Sequence, residues 1–213
     1  MERLNMNIED TASISVELIE KINQLCAQAE ADEQVKVVGF TFGKTSGADA
    51  GEAIADVALL HKWEKSLRRL ENVNALIVAH CEGELSLAAM SILAVSDLRI
   101  GTPASSFGLN GKEVTVPGML IHRLTQQLNA NGLRSLLLLG NRWSAEEAEA
   151  NGLLDRLASQ PQALTEDIIF GLNPHAFNDI RVRRKLILEA STASYDETLG
   201  LSLSASDRIM RKG

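Results

Sequence analysis

Two short apolar runs, each followed by a helical pattern, constrain the fold of this chain more than any other feature. VKVVGFTF at 35–42 and ALIVAHC at 75–81 are short and rich in β-branched residues, which is typical of buried strands. A helical pattern through Trp63 and Leu70 lies between them, and LSLAAMSILAV follows the second run. Because strands that alternate with helices are joined by crossovers, we expect an α/β fold with a mostly parallel sheet.

Local signals predict where several helices begin and end. Residues 15–30 carry apolar side chains at the spacing of an amphipathic helix. Ser144 with Glu147 three residues later forms a capping box, and Gly152 ends the helix that it starts. Pro117 fits the first turn of a further helix, where its missing N–H costs nothing.

Size predicts one domain over residues 1–213, and Pro161 and Pro174 mark the passage from an α/β core at 1–160 to a helical part at 161–213, whose oligomerisation is implied by the resemblance described below. The formal net charge of −7 argues against nucleic-acid binding, because few Lys and Arg are left over to neutralise phosphates. No apolar stretch approaches membrane-spanning length and the N-terminus lacks a signal-peptide pattern, so we expect a cytoplasmic protein that does not bind membranes. Cys26 and Cys81 lie in apolar runs and are predicted to be buried free thiols.

Four segments, in the same order along the chain, carry a family resemblance. They are SGAD at 46–49, VSDLRIGTPASSFG at 95–108, VPGM at 116–119 and RWSAEEAEANGLLDRL at 142–157. With the surrounding pattern, from about Val35 to Arg211, they resemble the crotonase (enoyl-CoA hydratase/isomerase) superfamily. The resemblance implies the crotonase (ClpP-like) fold, with repeated ββα units and a C-terminal helical part. It also implies a coenzyme A thioester as substrate, with no separate cofactor.

The same resemblance implies a backbone oxyanion hole that stabilises an enolate. By motif position its two donors are the N–H of Ala48, flanked by Gly47 and Asp49, and the N–H of Ala88. The family usually has three glycines where this chain reads Leu87-Ala88-Ala89. The bland alternative is that Ala48 and Ala88 are small residues at a tight packing contact.

Hydratases of this family use a pair of glutamates, and the corresponding positions of this chain hold no acidic residue. The first glutamate falls on Ser91 and the second near Asn110 or Gly111, and none of these residues can act as a carboxylate acid or base. Glu84 and Glu113 are the nearby carboxylates and remain the candidate acid/base residues. No His, Cys, Asp or Glu cluster has metal-ligand spacing, so we expect no metal.

Other polar residues have both functional and structural interpretations. Glu84 could instead complement a helix N-terminus, and Ser91 could bond a carbonyl of the preceding turn. His80 could relay a proton, but a hydrogen-bonded core histidine is favoured. The basic run at 181–185 could contact coenzyme A phosphates or the acidic surface of a partner, or it could form a solvated helix face. Asp97 is expected to cap a turn.

A subgroup resemblance leaves two functional hypotheses open. HKWEKSLRRLE at 61–71 and VPGMLIHRLTQQL at 116–128 resemble the auxiliary crotonases of dihydroxyphenylglycine biosynthesis, the DpgB type. The first hypothesis is therefore a hydratase, dehydratase or isomerase acting on an acyl thioester in such a pathway. The second is a catalytically impaired partner that stimulates a type III polyketide synthase. The resemblance also implies a homotrimer or hexamer, which would bury an apolar stripe formed by Leu186, Ile187, Leu199 and Leu203.

Overall fold

The computed structural model describes residues 2–8, 13–43, 56–109, 116–173, 177, 179–190, 194, 199, 200 and 203. The strands are β1 (Glu2–Ile8), β2 (Val35–Phe42), β3 (Leu76–Cys81), β4 (Leu98–Gly101), β5 (Ser106–Phe107), β6 (Trp143–Ser144) and β7 (Arg156–Leu157). The α-helices are α1 (Val16–Ala31), α2 (Val57–Leu70), α3 (Leu87–Leu93), α4 (Gly118–Gln127), α5 (Ala130–Leu133), α6 (Ala145–Ala150), α7 (Pro161–Gly171) and α8 (Ile180–Ala190), and a short π-helix spans Arg134–Leu138.

A five-stranded parallel sheet forms the centre of the molecule. Its strand order is β1-β2-β3-β4-β7, and β5 pairs with β6 in a separate antiparallel ribbon. The predicted strands at 35–42 and 75–81 are confirmed as β2 and β3. Because all strands of the large sheet are parallel, their carboxyl ends meet at one edge, which is where ligands bind in sheets of this kind.

Successive side chains of β2 and β3 point to opposite faces of the sheet, which separates the interior into two layers. Phe40 of β2 and Ala79 of β3 face the large core, which also holds the buried sides of α1, α2 and α3. Val37 and Val78 point to the opposite face, where they pack with Ile169 of α7. The helix that carries Ala88 and the helix α7 therefore lie on opposite sides of the sheet.

The predicted helix signals are confirmed with one correction. Ser144 with Glu147 makes both bonds of the predicted capping box of α6, and the predicted helix at 15–30 is α1, which Ser15 caps by accepting from the Leu18 N–H. Gly152 follows α6 in the left-handed region, with φ of 82°. Pro117 was predicted inside the first turn of its helix, whereas it is the residue that precedes α4. Proline is suited to this position as well, because no intrahelical bond from its N–H is needed there.

An ion pair between a buried arginine and a partly exposed aspartate attaches α8 to the core. Arg184 donates to both carboxylate oxygens of Asp97, at 2.8 and 2.6 Å, and to the carbonyls of Glu71, Val73 and Ala75 at 2.7–3.0 Å. All five N–H groups of the guanidinium thus have acceptors. Asp97 was expected only to cap a turn, and it does accept from the Ile77 N–H, but its main partner lies 87 residues away.

Both cysteines are buried free thiols, as predicted. Burial raises the pKa of Cys26 to about 11, against the opposing effect of the nearby Arg69 charge. Burial likewise raises the pKa of Cys81. Both groups are therefore protonated at neutral pH and are poor nucleophiles. Within the described residues, no helix is both long and apolar enough to cross a bilayer.

Candidate functional site

The turn between β3 and α3 is held by a short parallel bridge. Gly83 adopts a φ of 74°, which favours glycine because a Cβ is strained there. Its carbonyl accepts from the Ser106 N–H at 2.8 Å, and the Leu85 N–H donates to the Ser106 carbonyl at 3.2 Å. Glu84 is bridged to Ser106 between these two bonds. The turn therefore positions Glu84 and the start of α3 against β5.

The first turn of α3 leaves a buried backbone donor unused. Ser86 caps the helix, accepting from the Ala89 N–H at its hydroxyl (3.2 Å) and from the Met90 N–H at its carbonyl (2.9 Å). Neither Leu87 nor Ala88 has an acceptor for its N–H anywhere in the described part of the chain. Ala88 is fully buried. A buried N–H is almost always paired, so an open donor at a helix N-terminus is suited to a negatively charged oxygen.

Ser91 does not replace the missing first glutamate. Its side chain is buried, and its hydroxyl donates to the Leu87 carbonyl of the preceding turn at 2.8 Å. This confirms the structural interpretation of the residue. With its only proton committed to the backbone, Ser91 has none to give to a substrate.

Glu84, the described candidate acid/base, forms an ion pair with Arg142. The Arg142 Nη1 lies 2.5 Å from the Glu84 Oε2, and both side chains are partly exposed. Arg142 precedes β6 and lies over Gly108, where a Cβ would sit 3.7 Å from the arginine side chain. Arg142 therefore packs directly against the backbone at Gly108. Arg142 was not among the predicted site residues, although it stands at the start of the 142–157 motif.

Several predicted site residues lie outside the described residues. These are Gly47, Ala48 and Asp49 of the loop after β2, and Glu113 with its neighbours Asn110 and Gly111. Their roles remain predictions. Ala88 and Glu84 are four residues apart across the β3–α3 turn, and α3 follows β3 at the carboxyl edge of the sheet, where β2 also ends.

The structure places His80 against α7 and divides the basic run at 181–185 between the surface and the core. His80 is hydrogen-bonded, as favoured, with its Nε2 lying 2.7 Å from the Thr165 Oγ1 on α7. Within the run at 181–185, Arg181 and Arg183 are exposed, as a solvated face requires. Arg184 is the exception, since its buried pairing with Asp97 removes it from any surface role.

Comparison with known proteins supplies the family. The sequence pattern of the enoyl-CoA hydratase/isomerase family matches residues 4–202. The chain is 32% identical over 214 residues to an "Enoyl-CoA-hydratase" from Amycolatopsis orientalis, covering 98% of this chain and 96% of that protein. The family pattern begins at residue 4, within β1, which is ahead of the Val35 start that the motifs had indicated.

Solved structures agree on the fold. A crystal structure of an enoyl-CoA hydratase/isomerase from Marinobacter aquaeolei superposes with a TM-score of 0.76 at 17% identity, covering 97% of this chain and 88% of that one. An enoyl-CoA hydratase from Bacillus anthracis gives a TM-score of 0.78, also at 17% identity, with 97% and 87% covered. The predicted crotonase fold is thereby confirmed. With the family pattern spanning nearly the whole chain, the protein belongs to the enoyl-CoA hydratase/isomerase family.

Proposed function

We propose that the chain acts on an acyl thioester of coenzyme A, adding or removing water or a proton next to the thioester carbonyl. The observation that carries the proposal is the open N–H of the buried Ala88 at the N-terminus of α3. In the reaction, the carbonyl oxygen gains negative charge as an enolate forms. The Ala88 N–H donates to that oxygen, with the Ala48 N–H as the second donor and Gly47 and Asp49 flanking it.

The acid/base group is assigned to Glu84 or Glu113. The position of Glu84 supports its assignment, because it precedes α3 by three residues and is paired with Arg142. The ion pair keeps the Glu84 carboxylate in one orientation, in which it can accept a proton when the pair opens. Glu113 is the alternative from the loop that carries the second glutamate in hydratases of this family.

Crotonyl-CoA in deuterated water tests the proposal. We expect either hydration, followed by loss of the enoyl absorbance, or incorporation of deuterium next to the thioester carbonyl, followed by mass spectrometry. Heat-denatured protein is the matched control for uncatalysed exchange. If neither hydration nor deuteration exceeds that control, crotonyl-CoA hydratase and isomerase activity is ruled out.

A second candidate function is favoured by the state of Ser91. Because Ser91 is buried and bonded to Leu87, no acid stands at the first glutamate position. This supports the partner hypothesis, in which the chain assists a type III polyketide synthase that makes a dihydroxyphenylacetyl thioester. An inactive result with crotonyl-CoA, combined with an increased rate of such a synthase when the chain is added, would favour this second candidate.

We further propose that the protein assembles as a homotrimer or hexamer through its C-terminal part. Ile187 is 73% exposed, Leu203 is 62% exposed, and Phe170 on α7 is 93% exposed in the single chain. Apolar side chains exposed to this degree are expected to be buried by another subunit. Sedimentation velocity at micromolar concentration should give a trimer or hexamer. A single 23.1 kDa species would contradict the proposal.

A further inference from the structure

A stripe of basic side chains runs along the outer face of α2. Lys62, Lys65 and Arg68 are exposed, and their spacing places them within about a third of the helix circumference. We call these three residues the basic stripe. None of their side chains forms a hydrogen bond or an ion pair anywhere in the described part of the chain. The basic stripe is therefore a positive surface on a chain whose formal net charge is −7.

The carboxylates nearest to the basic stripe along α2 are committed to another partner. Glu64 and Glu71 have the helical spacing to pair with Arg68, four residues before it and three residues after it. Both carboxylates instead accept from Arg123 of α4, at 2.9 Å each, and the Arg123 side chain is only 6% exposed. The C-terminal half of α2 thus directs its acids inward and leaves its cations in solvent.

Contacts on both sides of α2 show that the basic stripe is its outer face. On one side, Arg69 donates to the Glu30 carboxylate of α1 at 3.0 and 2.6 Å. On the other side, Glu64 accepts from Arg123 of α4. The basic stripe lies between these two contacts, so the neighbouring helices hold α2 from its sides and leave this face open.

The first turn of α8 extends the positive surface. The Arg181 N–H donates to the Asn74 Oδ1 at 3.5 Å, just beyond the end of α2. The hydrogen bond from Arg69 lowers the pKa of Glu30, and the positive charge of Arg181 adds to that effect, so Arg181 lies near the contact between α1 and α2. Arg181 is exposed. A fourth cation therefore stands near the C-terminal end of the basic stripe.

The basic stripe extends away from the proposed thioester site. A helix that joins two parallel strands runs opposite to them, so the last turn of α2 lies at the amino edge of the sheet, where β3 begins. Ala88 follows the carboxyl end of β3, and a strand of 6 residues spans roughly 20 Å. The cations at the C-terminal end of α2 are thus placed for a contact other than the one that the thioester carbonyl makes.

We propose that the basic stripe docks an acidic α-helix of a partner protein. Carboxylates one turn apart on such a helix match cations one turn apart on α2, so the two helices can lie side by side. A long polyanion such as a nucleic acid fits less well. Its charge extends beyond these few cations, onto a chain whose remaining surface is acidic. The contact is separate from the thioester chemistry and adds a partner surface to the protein.

A helical alanine-based peptide with one glutamate per turn is a suitable probe, and the same peptide with glutamine at those positions is its matched control. Fluorescence anisotropy at low ionic strength should show that the glutamate peptide binds at least about tenfold more tightly than the glutamine peptide. Its affinity should fall as the salt concentration rises. Absence of binding, or equal binding of the two peptides, would overturn the proposal. Tighter binding of oligothymidylate than of the glutamate peptide would assign the surface to nucleic acid and overturn it as well.

Matched charge reversals locate the surface. Lys65→Glu combined with Arg68→Glu should weaken binding of the glutamate peptide at least about tenfold. Arg134→Glu combined with Arg156→Glu makes the same change in net charge at exposed positions elsewhere, and it should change the affinity by less than about threefold. Circular dichroism checks that both variants are folded. Equal losses in the two double variants would show that only the overall charge matters, which contradicts the assignment.

Crosslinking of the wild-type chain tests the surface without any substitution. A carbodiimide joins a carboxylate to a lysine amine with loss of water, so it should link the glutamate peptide to Lys62 and Lys65. Crosslinks confined to other lysines would contradict the proposal. The thioester proposal is tested separately, because the variant with Lys65→Glu and Arg68→Glu should retain whatever activity the wild-type chain has with crotonyl-CoA.

Discussion

Arg184→Met is expected to lower the free energy of unfolding by about 3 kcal/mol, because it removes a buried guanidinium that donates to three buried backbone carbonyls and to Asp97. Arg184 is 8% exposed and makes five hydrogen bonds, two of them to Asp97. Methionine retains much of the volume but none of the donors. Three buried backbone carbonyls and the partly exposed Asp97 carboxylate then lose this donor. Urea titration followed by circular dichroism measures the change directly.

Arg183→Met is the matched control, since it removes the same charge from an exposed position on the same helix. It should change stability by no more than about 0.5 kcal/mol. Arg184→Met combined with Asp97→Asn should be less destabilising than the sum of the two single changes, because the unpaired charge is gone. A loss below about 1 kcal/mol for Arg184→Met would show that the ion pair does not anchor α8.

Removal of the Ala88 N–H is expected to slow turnover of crotonyl-CoA by about 10²- to 10³-fold, the usual cost of losing one oxyanion donor. Side-chain substitution cannot test a backbone group, and Ala88 is fully buried, so a larger residue would disturb the core. Incorporating lactic acid in place of Ala88 replaces the amide by an ester, which removes the donor and makes the Leu87 carbonyl a weaker acceptor for the Ser91 hydroxyl. Steady-state kinetics should then show the loss in kcat more than in KM, because the bond strengthens as the enolate forms.

The same ester replacement at Ala89 is the control. The Ala89 N–H already donates to the Ser86 hydroxyl, so its loss weakens the helix cap by about 1 kcal/mol without touching the oxyanion. Turnover of that variant should stay near the wild-type value at temperatures where it is folded. Equal losses at Ala88 and Ala89 would mean that helix stability, rather than a specific donor, controls the rate.

Features set by neighbouring residues were predictable from the sequence. The bounds of β2 match the predicted 35–42 run, and the capping box at Ser144 forms as expected. These elements depend on side-chain periodicity and on bonds that span three or four residues. Ser91 belongs to the same class, because a helical serine commonly bonds the carbonyl of the preceding turn.

The N-terminal strand was missed for a physical reason. In β1, Leu4, Met6 and Ile8 alternate with polar residues, including Asn5 and Asn7. This two-residue period is the sequence signal of a strand with one solvated face, and it is weaker than the continuous apolar runs of β2 and β3. β1 lies at the edge of the sheet, where it pairs only with β2, so fewer of its side chains need to be apolar.

The sequence by itself determined the family, the alternation of strands and helices from β2 to α3, and the position of Ala88 at the start of α3. These follow from local patterns and ordered motifs, which are carried by contiguous residues. Only the tertiary structure showed that the Ala88 N–H has no acceptor among the described residues, that Arg184 pairs with Asp97, and that His80 bonds Thr165 of α7. Each of these depends on which groups separated by tens of residues meet in a buried space. Hydrogen-bond partners at that distance are chosen by packing, and no local pattern encodes them.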